Sequence, residues 1–185
     1  MIIFWIVWII WFTSEILLNR LMRSGSGDKK DQDKGSLKFV WIMIALAISS
    51  GIILAANTRI PVSNLQMLPY IGLVIVILGM ILRFISVWTL GRLFTVDVTI
   101  RENHKIKKDG VYKIIRHPSY TGSLLSFLGF GISLNNWLSM IAVIILITVA
   151  FLYRINIEEK ILIDQFGDDY LDYKKSTYYL IPWIY

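Results

Sequence analysis

Five long apolar stretches divide the sequence and constrain its fold more than any other feature. Their limits are Ile2–Leu18, Phe39–Ala56, Met67–Leu90, Tyr120–Leu134 and Trp137–Tyr153. Most of them approach the roughly 17 to 25 residues that an α-helix needs to cross a bilayer. Only 17% of the residues are charged and 56% are hydrophobic, which leaves too little polar surface to cover a soluble protein of this size. The sequence therefore predicts an all-α integral membrane protein with about five transmembrane helices in a single membrane domain, residues 1–185.

The basic residues predict an orientation for these helices. Six lysines and arginines lie between the first two stretches, one in the second connection, seven in the third, none in the fourth and four after the fifth stretch. Because cytoplasmic connections are enriched in Lys and Arg, we expect an external N-terminus and a cytoplasmic C-terminus. The first stretch has no preceding basic residue and no following small-residue cleavage site, so we expect it to be retained as a helix.

Charge and residue types exclude two classes of function. The net charge is +6, but the basic residues lie between apolar stretches rather than along one helix face, so nucleic-acid binding is not predicted. The chain has no cysteine, and its two histidines, His104 and His117, are thirteen residues apart without an HxxxH or HExxH arrangement. No metal site is therefore predicted. The sequence gives no signal for the oligomeric state.

Two connections differ sharply in length. Ser24 to Lys38 is rich in Gly, Ser and mixed charge, which is typical of a flexible linker without chemistry. Only Asn135 and Asn136 join the fourth and fifth stretches, which predicts a tight antiparallel helical hairpin. Small residues allow helix backbones to approach closely in membranes, and we expect three glycines to do so within this hairpin: Gly122, Gly129 and Gly131. The polar segments 91–119 and 154–185 would meet at the cytoplasmic base of the hairpin, where we expect the chemistry.

Five charged residues near the apolar stretches are candidates for function. Arg83 is the only full charge inside the third stretch, where burial costs roughly 2.5 to 3.5 kcal/mol, so it either contacts a ligand or forms a structural pair or snorkels. Glu15 is expected at the membrane interface. Arg154 and Glu158 are four residues apart on the continuation of the fifth helix, so they share a face and either pair or flank one ligand. Glu159 points about 100° away.

An ordered series of short motifs runs from residue 79 to residue 182. Its members are Leu82-Arg83, Trp88, Leu90-Gly91, Phe94-Thr95, His104-Lys105-Ile106, Gly110-Val111-Tyr112, Arg116-His117-Pro118-x-Tyr120-x-Gly122, Tyr153-Arg154, Glu158-Glu159, Phe166-Gly167, Tyr170, Tyr173 and Ile181-Pro182. This series closely resembles the isoprenylcysteine carboxyl methyltransferase family of integral membrane methyltransferases. The resemblance divides the chain into N-terminal helices and a linker, residues 1–78, and a catalytic region, residues 79–185, with a cytoplasmic C-terminal cofactor-binding part.

The resemblance implies an S-adenosylmethionine-dependent methyltransferase that acts on a lipophilic small molecule or a lipidated substrate in the membrane. The implied cofactor contacts are His104, Lys105, Ile106, Gly110, Val111, Tyr112, His117, Tyr120, Glu158 and Glu159. The catalytic candidates are Arg154 and Glu158, and the substrate-binding candidates are Arg83, Trp88 and Arg154. A carboxylate acceptor is ionised at pH 7 and needs orientation by Arg154, whereas a hydroxyl or amine acceptor needs a base, His117 or Glu158.

Two other functions stay open on sequence grounds. The first is an NADPH-dependent membrane reductase related to sterol reductases, whose C-terminal region looks similar around an RHP motif. Adjacent carboxylates at Glu158 and Glu159 are unfavourable for a phosphorylated dinucleotide, which argues against it. The second is a non-catalytic membrane protein that serves as a partner or scaffold.

Overall fold

The computed structural model describes residues 2–22, 35–94 and 106–182. These residues form six α-helices: α1 (Ile2–Leu21), α2 (Ser36–Asn57), α3 (Leu68–Leu90), α4 (Pro118–Ser133), α5 (Trp137–Phe166) and α6 (Asp168–Ser176). Short 3₁₀ helices lie at Gly91–Leu93 and Gly110–Lys113. In the described ranges the chain forms no strand beyond an isolated parallel bridge between Ile115 and Tyr178. The predicted all-α fold is confirmed.

Four of the helices, α1, α2, α3 and α5, are long and apolar enough to cross a membrane. Helix α4 has 16 residues and is shorter than these, so the predicted count of five spans is not confirmed. Large apolar side chains such as Ile53 on α2 and Ile145 on α5 point outward and are more than half exposed. An apolar exterior of this kind suits a helix surrounded by lipid. The protein is therefore an integral membrane protein, while the orientation of its termini stays a prediction.

The turn between α4 and α5 has the predicted tight geometry. Asn135 adopts a left-handed conformation with φ of 47°, and its side-chain oxygen accepts hydrogen bonds from the backbone N–H groups of Val62 and Ser63. The Asn136 side chain caps α5 by accepting a hydrogen bond from Ser139 N at 3.1 Å. The two asparagines thus fix the hairpin and tie it to the connection between α2 and α3.

The close backbone approach lies between α3 and α4, and not between α4 and α5. A Cβ atom added at Gly79 would lie 2.5 Å from the Gly122 carbonyl oxygen, and one added at Gly129 would lie 2.6 Å from the Gly72 carbonyl oxygen. Of the three glycines predicted for the hairpin, Gly131 alone faces α5, 3.1 Å from Met140 Cα by the same measure. The prediction that Gly122 and Gly129 serve the α4–α5 hairpin was therefore wrong. Gly72 and Gly79 on α3 and Gly122 and Gly129 on α4 let the backbones of these two helices touch.

Adding a methyl group to this seam is expected to destabilise the protein. Because the atoms that the added methyl group meets include the Gly122 carbonyl oxygen and the Ser126 backbone nitrogen of the facing helix, Gly79→Ala forces the helices apart at a cost of about 1 to 3 kcal/mol. For a domain of this size, the melting temperature in detergent should fall by roughly 2 to 12 °C. Ala56→Val adds volume at an exposed position of α2 and is the control. A melting temperature of Gly79→Ala equal to that of Ala56→Val would contradict this account of the seam.

Helix α5 carries the candidate functional residues out of the core. Ile147 and Ile155 are fully buried, and the helix continues without interruption to Phe166, for 30 residues or roughly 45 Å. Gly167 ends it with φ of 54°, a conformation that favours glycine. The predicted break at Phe166-Gly167 is confirmed. Helix α6 then turns back, so that its residues pack beside the C-terminal part of α5.

Candidate active site

A central cavity of about 180 Å³ lies among α1 to α6. Along α5 its lining changes from Phe151 to Arg154 and Glu158, and along α1 it changes from Trp11 to Glu15. An apolar part of the cavity therefore passes directly into a polar part at the end of the helices that is predicted to be cytoplasmic. This arrangement can hold a molecule that has a hydrocarbon portion and a polar end.

Three side chains form a polar cluster in the cavity wall: Arg154, Tyr120 and Glu158. The Tyr120 hydroxyl donates to Glu158 Oε2 at 3.0 Å and accepts from Arg154 Nε at 3.1 Å. Arg154 is 4% exposed, and its Nη1 donates to Ser36 Oγ at 2.6 Å. The sequence predicted that Arg154 and Glu158 share a face, and the structure adds that the Tyr120 hydroxyl joins them. Within the described part of the chain, Glu158 Oε1 makes no hydrogen bond, so it can accept one from a ligand.

Glu159 is adjacent in sequence but occupies a different environment. Its carboxylate oxygens accept hydrogen bonds from Arg116 Nε at 2.7 Å, His117 Nε2 at 3.1 Å and Lys174 Nζ at 2.6 Å. It is buried and does not line the cavity. Its turn of about 100° from Glu158 directs it to the junction of α4, α5 and α6 and away from the cavity, so the cofactor contact at Glu159 stays a prediction. Of the two carboxylates, Glu158 is the one that faces the cavity.

His117 lies at the cavity wall, immediately before α4. It is 3% exposed, its Nε2 lies against Glu159, and its ring packs edge-on against Tyr120 and Tyr179. Its side chain makes no capping hydrogen bond to α4; only its carbonyl oxygen accepts the Thr121 N–H. His117 is thus positioned by Glu159 at the edge of the site.

Three buried tyrosines form another part of the cavity wall: Tyr112, Tyr170 and Tyr173. The Tyr173 hydroxyl donates to the Tyr112 carbonyl oxygen at 2.6 Å. Burial raises the pKa of all three phenols above their usual range, and for Tyr112 the nearby Glu158 carboxylate raises the pKa further. They are neutral at physiological pH and act through packing and hydrogen bonding rather than as bases.

The remaining predicted site residues are divided between the cavity and its surroundings. Ile106 and Arg83 line it, whereas Gly110 and Val111 stand beside it in the 3₁₀ turn that places Tyr112. His104 and Lys105 lie outside the described residues. Trp88 is 76% exposed on the outer face of α3 and does not line the cavity, so its contact with a substrate stays a prediction. A resemblance in sequence could not show which face of α3 turns towards α4.

The sequence analysis did not identify two residues that contact the site. Ser36 was assigned to the linker, but it begins α2, is fully buried and holds Arg154. Glu15 was expected at the interface, but it lines the cavity, and its Oε2 accepts a hydrogen bond from Arg83 Nη2 at 2.7 Å. Two opposite charges within apolar stretches were the available signal for that pair. The Ser36 contact spans 118 residues and has no local signal.

Comparisons with known proteins identify relatives of this chain. The model of the isoprenylcysteine carboxyl methyltransferase (ICMT) family matches residues 71–164, which is half of the chain. Protein-S-isoprenylcysteine O-methyltransferase B of Arabidopsis thaliana is 40% identical over 115 residues, which cover 61% of this chain and 58% of the plant protein. Protein-S-isoprenylcysteine O-methyltransferase of Saccharomyces cerevisiae is 37% identical over 116 residues, which cover 62% of this chain and 48% of the yeast protein.

A solved structure is also similar. It is that of the eukaryotic intramembrane Ras methyltransferase ICMT, which superimposes with a TM-score of 0.65 and 30% identity over 78% of this chain and 52% of that one. The chain thus spans about half to three-fifths of the length of these relatives. The matched residues 71–164 include the whole polar cluster but neither Glu15 nor Ser36. This chain belongs to the isoprenylcysteine carboxyl methyltransferase family.

Proposed function

We propose that this protein is an S-adenosylmethionine-dependent methyltransferase whose acceptor is a lipophilic or lipidated molecule in the membrane. The observation that carries the proposal is the central cavity, in which apolar side chains lead directly to the polar cluster of Arg154, Tyr120 and Glu158. The names of the curated relatives support it, since they describe methyl transfer to an oxygen of an isoprenylcysteine.

The residues of the cavity fit the methyl donor. S-adenosylmethionine carries ribose hydroxyls and an ammonium group. Glu158 Oε1 can accept a hydrogen bond from either of them. Tyr112 and Tyr170 offer buried aromatic surface for its adenine. Ile106 and His117 complete the proposed contacts. When bound, the cofactor supplies an electrophilic methyl group on a sulfonium sulfur.

The protein's own contribution is to bind and orient the acceptor. A carboxylate acceptor, which the family description favours, is ionised at pH 7 and needs no general base. Arg154 can hold it through a charge-assisted hydrogen bond from its guanidinium. Tyr120 and Ser36 fix that guanidinium in advance, and the surrounding apolar side chains exclude water. Orientation of this kind can lower a barrier by about 7 to 11 kcal/mol.

Calorimetry on the detergent-purified protein tests the proposal. We expect S-adenosylhomocysteine to bind saturably, and Glu158→Gln to weaken binding by more than about ten-fold, since a charged hydrogen bond contributes roughly 1.5 to 3 kcal/mol. Asp164→Asn, an exposed carboxylate on the same helix, is the matched control and should bind as the wild type does.

Parallel titration with NADPH separates the other classes of function. Binding of NADPH without binding of S-adenosylhomocysteine would replace the methyltransferase with a reductase. If the folded protein binds neither ligand, the proposal fails in favour of a non-catalytic role. If Glu158→Gln binds S-adenosylhomocysteine as tightly as the wild type, Glu158 is not a cofactor contact.

A further inference from the structure

The Ser123 hydroxyl on α4 faces the central cavity without a hydrogen-bond partner. Ser123 is 4% exposed and lines the cavity, and its Oγ makes no hydrogen bond to any residue that the structure describes. The other buried serines of α4 each form a hydrogen bond through their Oγ atoms: Ser119, Ser126 and Ser133. A buried hydroxyl that lacks a partner destabilises a fold, so this one requires an explanation.

Helix α4 cannot satisfy this hydroxyl in the usual way. A serine within a helix commonly donates to the carbonyl oxygen four residues earlier, which for Ser123 belongs to Ser119. That oxygen accepts the helical N–H of Ser123, and Arg83 Nη1 on α3 also donates to it at 3.4 Å. A carbonyl oxygen has two lone pairs, and both are therefore in use. The Ser123 hydroxyl is left for a molecule in the cavity.

Ser123 lies between the polar cluster and the apolar part of the cavity. It shares one face of α4 with Tyr120, three residues earlier, and Phe127, four residues later, and all three line the cavity. At 1.5 Å per residue, Ser123 lies roughly 4.5 Å beyond Tyr120 along the helix axis. Three covalent bonds of an extended backbone span about 3.8 Å. The hydroxyl is therefore level with an atom that is about three bonds from the group held by the polar cluster.

We propose that Ser123 selects an acceptor that carries a second, uncharged hydrogen-bonding atom about three bonds from its carboxylate carbon. This inference rests on the proposed function, in which Arg154 holds the carboxylate. The second atom is uncharged, because an unpaired charge is strongly disfavoured in a part of the cavity lined by Phe127 and Phe151. An ether, hydroxyl or amide oxygen meets this requirement, since a serine hydroxyl both donates and accepts. A plain fatty acid has no such atom.

Three lipophilic carboxylates with equal chains of sixteen atoms test the position of this contact. In 3-dodecyloxypropanoate an ether oxygen lies three bonds from the carboxyl carbon, in 7-octyloxyheptanoate it lies seven bonds away, and hexadecanoate has no ether. Calorimetric titration of the detergent-purified protein should show 3-dodecyloxypropanoate bound roughly three- to ten-fold more tightly than the other two, as one net hydrogen bond predicts. Equal affinity of the wild-type protein for 3-dodecyloxypropanoate and hexadecanoate would overturn the proposal.

Two serine variants assign the preference to one hydroxyl. Ser123→Ala should weaken binding of 3-dodecyloxypropanoate to the level of hexadecanoate, and its melting temperature should not fall, because the hydroxyl has no partner in the described protein. Ser133→Ala is the matched control and should keep the preference. Ser133 is buried on the same helix, donates to the Phe130 carbonyl oxygen at 2.7 Å and does not line the cavity. A preference that survives in Ser123→Ala, or a lower melting temperature than that of Ser133→Ala, would show that Ser123 is not the selecting residue.

Titration with S-adenosylhomocysteine separates this inference from the proposed function. If the protein binds S-adenosylhomocysteine but does not prefer the ether, the methyltransferase stands and the role of Ser123 is rejected. If it prefers the ether through Ser123 but binds no S-adenosylhomocysteine, the ligand contact stands and the methyltransferase is rejected.

Discussion

Replacing Arg154 with alanine is expected to lower kcat/KM by more than about ten-fold, since a hydrogen bond to a charged group contributes roughly 1.5 to 3 kcal/mol. The guanidinium is held by Tyr120 Oη and Ser36 Oγ, so its direction is fixed before the acceptor arrives. Under the proposed function, loss of the side chain removes the contact that would orient the acceptor carboxylate. The measurement is the initial rate of methyl transfer from labelled S-adenosylmethionine to an S-isoprenylcysteine derivative.

Two further variants make the Arg154 result interpretable. Arg154→Lys keeps the charge but loses the planar fork, so we expect it to recover only part of the rate. Lys160→Ala removes an exposed cation from the same helix and should turn over normally. A melting curve for each variant separates loss of activity from loss of folding, because Arg154 is buried. Unchanged turnover in a folded Arg154→Ala protein would refute the assignment of the site.

Features with a local cause were predictable from the sequence. The hairpin follows from Asn135 and Asn136, which are too few residues for anything but a tight turn between two apolar stretches. The end of α5 at Gly167 follows from the freedom of glycine to adopt a positive φ. The shared face of Arg154 and Glu158 follows from helical spacing alone. In each case neighbouring residues determine the outcome.

Features that depend on helix packing were not predictable. The glycine composition indicated a close approach of two helix backbones. The partner of Gly122 is Gly79 on α3, which lies 43 residues earlier in the sequence, so no local pattern identifies it. The outward direction of Trp88 depends on the same packing. The separate environments of Glu158 and Glu159 depend on where α6 and the start of α4 dock. One sequence carries no record of such distant pairs.

Removing the Glu159 carboxylate is expected to destabilise the protein more than any other single substitution considered above. Glu159→Ala leaves Arg116 and His117 without their shared buried anion and frees Lys174 of α6. Breaking a buried ion pair by removing one partner costs about 3 to 5 kcal/mol. For a domain of this size, the melting temperature in detergent should fall by roughly 6 to 20 °C. Intrinsic tryptophan fluorescence during heating is the measurement.

Asp172→Ala is the matched control for Glu159→Ala. Asp172 pairs with Lys175 on α6, but both side chains are more than 70% exposed, and exposed pairs contribute only about 0 to 1 kcal/mol. Arg116 retains its hydrogen bond to the Thr177 carbonyl oxygen and its contact with the Tyr179 ring in the Glu159 variant. The loss is therefore specific to the buried anion. If Glu159→Ala melted no lower than Asp172→Ala, then Glu159 would not hold α4, α5 and α6 together.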